Sequence, residues 1–146
     1  MSNMRKRLIK SERGAALLET AITLPIILLV SVSIFEFGRA YQTWQVLTNA
    51  AREGARVAVI KGTTSTEIKD AVKTYATVGG LTVTDGQITL DQGVALGTSS
   101  WTGSQITIAY PFQFMVLNPV AKLIRADSTT GEALTMSAVA VMRNEG

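Results

Sequence analysis

The chain has no cysteine and no histidine among its 146 residues. Their absence removes disulfides, thiolate nucleophiles, imidazole bases and the usual zinc ligands together, so metal-dependent and triad-type catalysis have little to build on. An envelope protein can fold without disulfides when its core suffices, so the missing cysteines exclude a disulfide-stapled scaffold and leave the compartment open. Carboxylates do not fill the gap: Asp85, Asp91 and Asp127 have no spacing that forces two of them together. Neither an enzyme nor a bound cofactor or metal is expected.

Positive charge is scarce outside the first residues. The sequence holds 14 Lys and Arg against 11 Asp and Glu, a formal +3. Five of the basic residues, Arg5, Lys6, Arg7, Lys10 and Arg13, precede Gly14 with Glu12 as the one acid there, which leaves nine basic and ten acidic side chains beyond it. The basic character belongs to this leader, and a nucleic-acid surface is not expected.

Between Ala15 and Phe35 charge is nearly absent: AALLETAITLPIILLVSVSIF is twenty-one residues whose single charge is Glu19. As a helix it covers roughly 30 Å, the thickness of a bilayer's hydrocarbon core. The basic leader before it keeps the amino terminus cytoplasmic and sends the rest outward. A secretory signal peptide is the alternative, with Ser31-Val32-Ser33 as a small-residue cleavage pattern, but the run is longer than the usual h-region and flows into a further helix. A carboxylate inside such a run costs about 2.5 to 3.5 kcal/mol on insertion scales and by default marks a contact. In lipid Glu19 can relieve its desolvation by protonation or by meeting a cation; otherwise it sits at headgroup level with its carboxylate in water.

Beyond Phe35 the pattern becomes one-sided. Phe37, Tyr41, Trp44, Leu47, Ala51, Ala55 and Ala58 recur at three- or four-residue steps, a helical stripe that should cover a core, with Tyr41 and Trp44 beneath the sheet. One nearly continuous helix of roughly 70 Å from Ala15 to about Ile60 follows, with a kink or melted turn near 21–25 before Pro25. Glu36 and Arg39 stand one turn apart and read as an ion pair marking the membrane exit. Glu53 and Arg56 can pair likewise, while Arg52 and Arg56 share a face; these three read as a solvated surface, with contact to another subunit as the second reading.

The residues 13–40, RGAALLETAITLPIILLVSVSIFEFGRA, together with TNAAREGARVAV at 48–59 and the closing AVMRNE at 140–145, resemble the TadE-like pseudopilins of the tight adherence (Tad) pilus, within the type IV filament superfamily. The likeness is strong over the first 60 residues and loose beyond them. It implies a class III signal peptide, cut between Gly14 and Ala15 by a prepilin peptidase on the cytoplasmic side. The apolar helix would stay as anchor and later as filament packing element. Cleavage would place a new amine at Ala15, the nearest cation to Glu19 of its own or a neighbouring chain. Ala15 replaces the phenylalanine common at this place in type IV pilins, and Thr20 stands where the major Tad pilin carries tyrosine. The second departure, with the chain's length, favours a minor pseudopilin over the main subunit.

After Gly62 a capping box, Thr64 to Glu67, opens a second helix with Ile68, Val72, Tyr75 and Val78 on one face, closed by Gly79-Gly80. Thr82-Val83-Thr84, Ile88-Thr89-Leu90 and Ile106-Thr107-Ile108 alternate as strands, with Asp85-Gly86 and Gly103-Ser104 as turns. Asn118-Pro119 should start a short helix to Ile124, and Ala133 to Met142 a last strand. Trp101 lies in a polar loop, either as an adhesive tip or folded back over a sheet edge.

The expected fold class is therefore α+β, pilin-like: a long amino-terminal, partly transmembrane helix packed on a small antiparallel sheet. The expected organisation is a leader at 1–14, a transmembrane helix at 15–36 and an extracytoplasmic domain at 37–146. The function expected from the resemblance is that of a minor pseudopilin in pilus assembly and surface adhesion. Its partners would be prepilin peptidase, other pilins and pseudopilins, and an inner-membrane assembly platform. Gly14 and Ala15 would serve cleavage, Glu19 and Pro25 subunit assembly. It would reside as a single-pass protein of the inner (cytoplasmic) membrane before joining an extracellular pilus. The alternative is a membrane-anchored binding domain that never enters a filament.

Overall fold

A run without glycine from Ala15 to Phe37, rich in Leu, Ile and Ala, favours one long helix, and α1 extends over Ser2–Ala58. The computed structural model describes residues 2–97, 101–124 and 132–144, and for residues 2–13, 121, 123 and 124 the backbone alone. The leader's basic side chains and Asp127 thus lie outside the described residues. The chain divides into two compact units, Met1–Phe37 and Gly38–Gly146.

The expected melted turn is not present: α1 is helical straight through 21–25. Pro25 deletes one backbone donor, and hydroxyls reinforce the turns around the gap, Thr20 Oγ1 donating to the Ala16 carbonyl at 2.9 Å and Thr23 Oγ1 to that of Glu19 at 2.6 Å.

In the second unit α1 is followed by α2 (Ser65–Val78), a 3₁₀ turn (Asp85–Gln87), β1 (Ile88–Ala95), β2 (Thr102–Phe112), α3 (Leu117–Ile124) and β3 (Leu134–Arg143). The three strands form one antiparallel sheet in the order β1-β2-β3, as the α+β reading requires. Thr64 caps α2 as its sequence predicts: its hydroxyl accepts from the Glu67 N–H at 3.3 Å, and the Glu67 carboxylate accepts from the Thr64 N–H at 2.7 Å.

Three of the expected assignments change. Thr82–Thr84 is not a strand; Thr84 starts the 3₁₀ turn, its N–H bonded to Gln87 Oε1 at 2.9 Å. Gly103-Ser104 is not a turn but part of β2. A Cβ on Gly103 would stand 2.8 Å from the Met142 carbonyl oxygen, so the glycine permits close approach of the neighbouring strand. Asn118 lies inside α3 rather than capping it, its Nδ2 reaching the Glu132 carbonyl at 3.4 Å.

The core sits between the sheet, α2 and the outer part of α1. It is built from Leu47, Ala50, Ala51, Ala55 and Ala58 of α1, Ile68, Val72 and Ala76 of α2, and Ile88, Ile106, Ile108, Ala138 and Ala140 of the strands. Leu47, Ala51, Ala55 and Ala58 match the predicted stripe, but its aromatic end does not: Tyr41 is 61% and Trp44 44% exposed. Small Ala40 and Thr43 face inward at that level instead. The reason is distance. A Cβ on Gly54 would collide with Val72 Cγ2, and one on Gly79 with Val46 Cγ1, so the helices meet where side chains are short and the rings turn outward.

Candidate functional site

The first unit presents its apolar side chains outward, from Leu17 through Leu24, Ile27 and Leu28 to Phe35. Among the described residues this is the one helix long and apolar enough to cross a membrane, which fits a single-pass membrane protein. Its hydroxyls suit that solvent. Thr20, Thr23, Ser31 and Ser33 each bond back to the carbonyl four residues earlier, at 2.6 to 2.9 Å, so none needs water.

Glu19 is the exception. Its carboxylate has no hydrogen-bond or ion-pair partner among the described residues, and it lines a shallow groove of about 430 Å³ with Thr20, Thr23, Leu24, Ile27 and Leu28. Ala15 precedes it by four residues and so lies one turn away on the same face. Gly14 is exposed, with nothing within 4 Å of where a Cβ would stand. The candidate site is thus a bare glycine junction, a small residue, and one turn further a carboxylate whose hydrogen-bonding capacity no described residue uses.

Glu36 is buried, with 5% of its surface exposed. Arg39 belongs to the second unit, where its Nη2 donates to the Gln113 carbonyl at 2.6 Å and its guanidinium stands 4.7 Å from the Phe112 ring. Arg39 and Phe112 line an open cleft of about 700 Å³ with Thr43, Val46, Gly79 and Tyr110. Arg39 therefore ties α1 to the end of β2, a role that its helical spacing from Glu36 could not disclose.

Glu53 and Arg56 pair as expected, in a two-pronged contact at 2.9 and 2.6 Å. The hydrogen bond from Arg56 lowers the Glu53 pKa from its ordinary range, against a smaller upward push from burial, and Glu53 raises that of Arg56 in return. Arg52 reaches Asn49 Oδ1 at 3.5 Å. All three lie on the side of α1 away from the core. Trp101 is not an isolated tip: the Arg143 guanidinium lies 4.6 Å from its ring, which sets it against the end of β3.

Sequence reasoning missed the role of Ser104, a hydroxyl only 1% exposed. Its Oγ donates to Asn144 Oδ1 at 2.7 Å and lies 3.5 Å from the Ala58 carbonyl, one of the unpaired acceptors at the end of α1. Asn144 in turn gives its N–H to the Thr102 carbonyl at 2.9 Å. The closing Arg143-Asn144 pair thus locks the last strand to the helix terminus. The only sequence signal was the unusual Gly-Ser opening of an otherwise β-branched strand.

Neither a curated protein nor a solved structure matches the chain. The family model described as TadE-like protein matches residues 14–56. That interval begins at the glycine junction, contains Glu19 and the apolar run, and ends on the alanine stripe that carries the outer core. Over these residues the chain is similar to the TadE-like family, which supports a relation to the Tad pilus.

Proposed function

We propose that the chain is a minor pseudopilin: it enters the inner membrane with its amino terminus cytoplasmic, is trimmed by prepilin peptidase between Gly14 and Ala15, and is then taken into a Tad-type pilus beside other pilins. Adhesion is then a property of the filament. The observation that carries this reading is the contrast within the apolar run. Four hydroxyls are satisfied inside their own helix, whereas the Glu19 carboxylate meets no partner among the described residues. A group so costly in lipid needs a cation, and trimming after Gly14 creates one at Ala15. Gly14 also lowers the cost of opening the helix for a peptidase, because it stabilises the helix least of the non-proline residues and shields nothing.

Pairing of Glu19 with the amine of a neighbouring chain fixes axial register between apolar helices, and the groove beside Glu19 offers that neighbour a seat. Intact-mass measurement of the membrane form tests the processing step, with a start at Ala15 expected. A start after Ser33, or an intact Met1, would overturn it, and an intact Met1 without associated pilins would favour the tethered binding domain. Glu19→Ala tests the pairing step: the outer unit keeps its unfolding midpoint while filament assembly is lost. Normal piliation in that variant would refute the pairing.

A further inference from the structure

Contacts inside the second unit give it two ends. Ser104, near the start of β2, reaches the Ala58 carbonyl, whereas Arg39 bonds to Gln113 just past the end of β2, so α1 and β2 run in opposite senses. Residues 39 and 58 stand about 29 Å apart along the helix. The Arg39 end also holds the start of β3, since Leu134 pairs with Phe112, and the end of α2, since Gly79 stands against Val46 and lines a cleft with Arg39. The Ala58 end holds Ile60 and Trp101.

Apolar exposure is uneven between these ends. Among the described residues of the second unit the three most exposed large apolar side chains are Val78 at 86%, Met115 at 71% and Tyr41 at 61%, and all three lie at the Arg39 end. The Tyr41 ring stands 6.1 Å from that of Trp44, and both belong to the side-chain types enriched where lipid meets water. Met115 shares a cleft of about 490 Å³ with Arg39 and Lys122. Cations beside exposed apolar groups suit a surface that is apolar beneath and phosphate-bearing above. Glu132, whose carbonyl accepts from Asn118, opposes them with a single carboxylate.

Chain connection supplies the occupant. Arg39 follows Phe35, the last residue of the apolar run, by four residues, so its Cα stays within about 14 Å of that residue whatever angle the two units make. The headgroup layer alone is roughly 5 to 8 Å thick on each side of the hydrocarbon core. We infer that the Arg39 end of the second unit docks on the lipid surface, with Val78, Met115 and Tyr41 entering the headgroup layer and Arg39 and Lys122 at the level of the phosphates. The docking continues the membrane interface that the apolar run begins, and it covers the most apolar end of the outer unit while the chain resides in the bilayer. It rests on the apolar run lying in lipid, and not on cleavage at Gly14 or on Glu19.

The absence of cysteine makes the test specific. The full-length chain is reconstituted in vesicles of phosphatidylethanolamine and phosphatidylglycerol that carry a quencher on their acyl chains, with an environment-sensitive fluorophore attached to M115C, I60C or I27C. The labels at 27 and 115 should be quenched, and the label at 60 should not. Val78→Asp in the M115C background alters an exposed position, so the unfolding midpoint stays while the ratio of docked to free outer unit falls about tenfold, and quenching at 115 falls with it. Quenching at 27 with none at 115 beyond that at 60 would overturn the inference and spare the membrane span, whereas no quenching at 27 would overturn both. A label at 115 that is shielded from an aqueous quencher but untouched by the lipid quencher would assign the patch to a second copy and refute lipid docking. Quenching at 115 undiminished by Val78→Asp would refute it as well.

Discussion

Phe35 and Ala50 lie on the same helix, yet the large ring is 85% exposed and the small methyl fully buried. The two stretches of α1 obey opposite rules because they face different solvents. In the first unit bulk points outward, where lipid is its natural environment, and hydroxyls are turned back on their own carbonyls. In the second unit bulk is excluded from the packed face, because α2 and the sheet come so close that alanine and glycine are what fit. Hydrophobicity alone would not separate these stretches; side-chain size does.

The largest effect should come from emptying the second stretch. Leu47→Ala removes a fully buried side chain and should lower the unfolding free energy of the outer unit by about 2 to 5 kcal/mol, whereas Ile27→Ala in the first stretch should leave that transition within about 0.5 kcal/mol. Chemical denaturation of the detergent-solubilised chain, followed by Trp fluorescence, reads both. Equal effects would erase the distinction between the stretches.

Glycine sharpens it next. Gly54→Val drives a side chain into Val72 and should cost about 1 to 3 kcal/mol, while Gly38→Ala meets nothing and should stabilise its helix by up to about 1 kcal/mol. Ser104→Ala leaves Asn144 without its buried donor and should cost about 1 to 2 kcal/mol in the same melts.

The smallest effects lie at exposed ends. Thr64→Ala removes the cap of α2 and should cost about 0.5 to 2 kcal/mol. Its penalty should depend on pH, because the Thr64 N–H first, then the Thr64 hydroxyl, hold the Glu67 carboxyl below its ordinary 4.5. A depressed carboxylate contributes its stability above the unfolded value and loses it as pH falls through the lower folded one, so the penalty should shrink in acid. Lys73 runs the other way. It bridges Asp70 at 2.8 Å and Asp85 at 2.9 Å, and these bonds raise it above 10.5, so its contribution holds below that value and fades as pH rises through the folded one. Melts of Lys73→Met across alkaline pH should converge on the parent.

Local chemistry made much of the chain legible. The apolar run, the capping box at Thr64 and Glu67 and the alternation at Ile106 to Ile108 each depend on neighbours within a few residues, and each was found where sequence placed it. The misplaced elements depended on distant partners. Gly103-Ser104 reads as a turn until Met142 and Asn144 come alongside, and Tyr41 and Trp44 read as core until α2 and β2 occupy the space first. The candidate site was legible to the same degree: Gly14 and Glu19 stand out by charge and spacing, whereas the link of Arg39 to Gln113 spans residues far apart in the chain.

The sequence by itself determined that one helix must run from an apolar stretch into an amphipathic one, because a period of 3.6 and a scarcity of charge are written in consecutive residues. It also determined that Glu19 would stand alone in that stretch. Only the tertiary structure decided which side of the helix is inside, since the choice between aromatic and alanine faces depends on how closely a second helix and a sheet can approach. It alone decided, too, which strands stand at the edges of the sheet among the described residues, because an edge exists only once strand order is fixed.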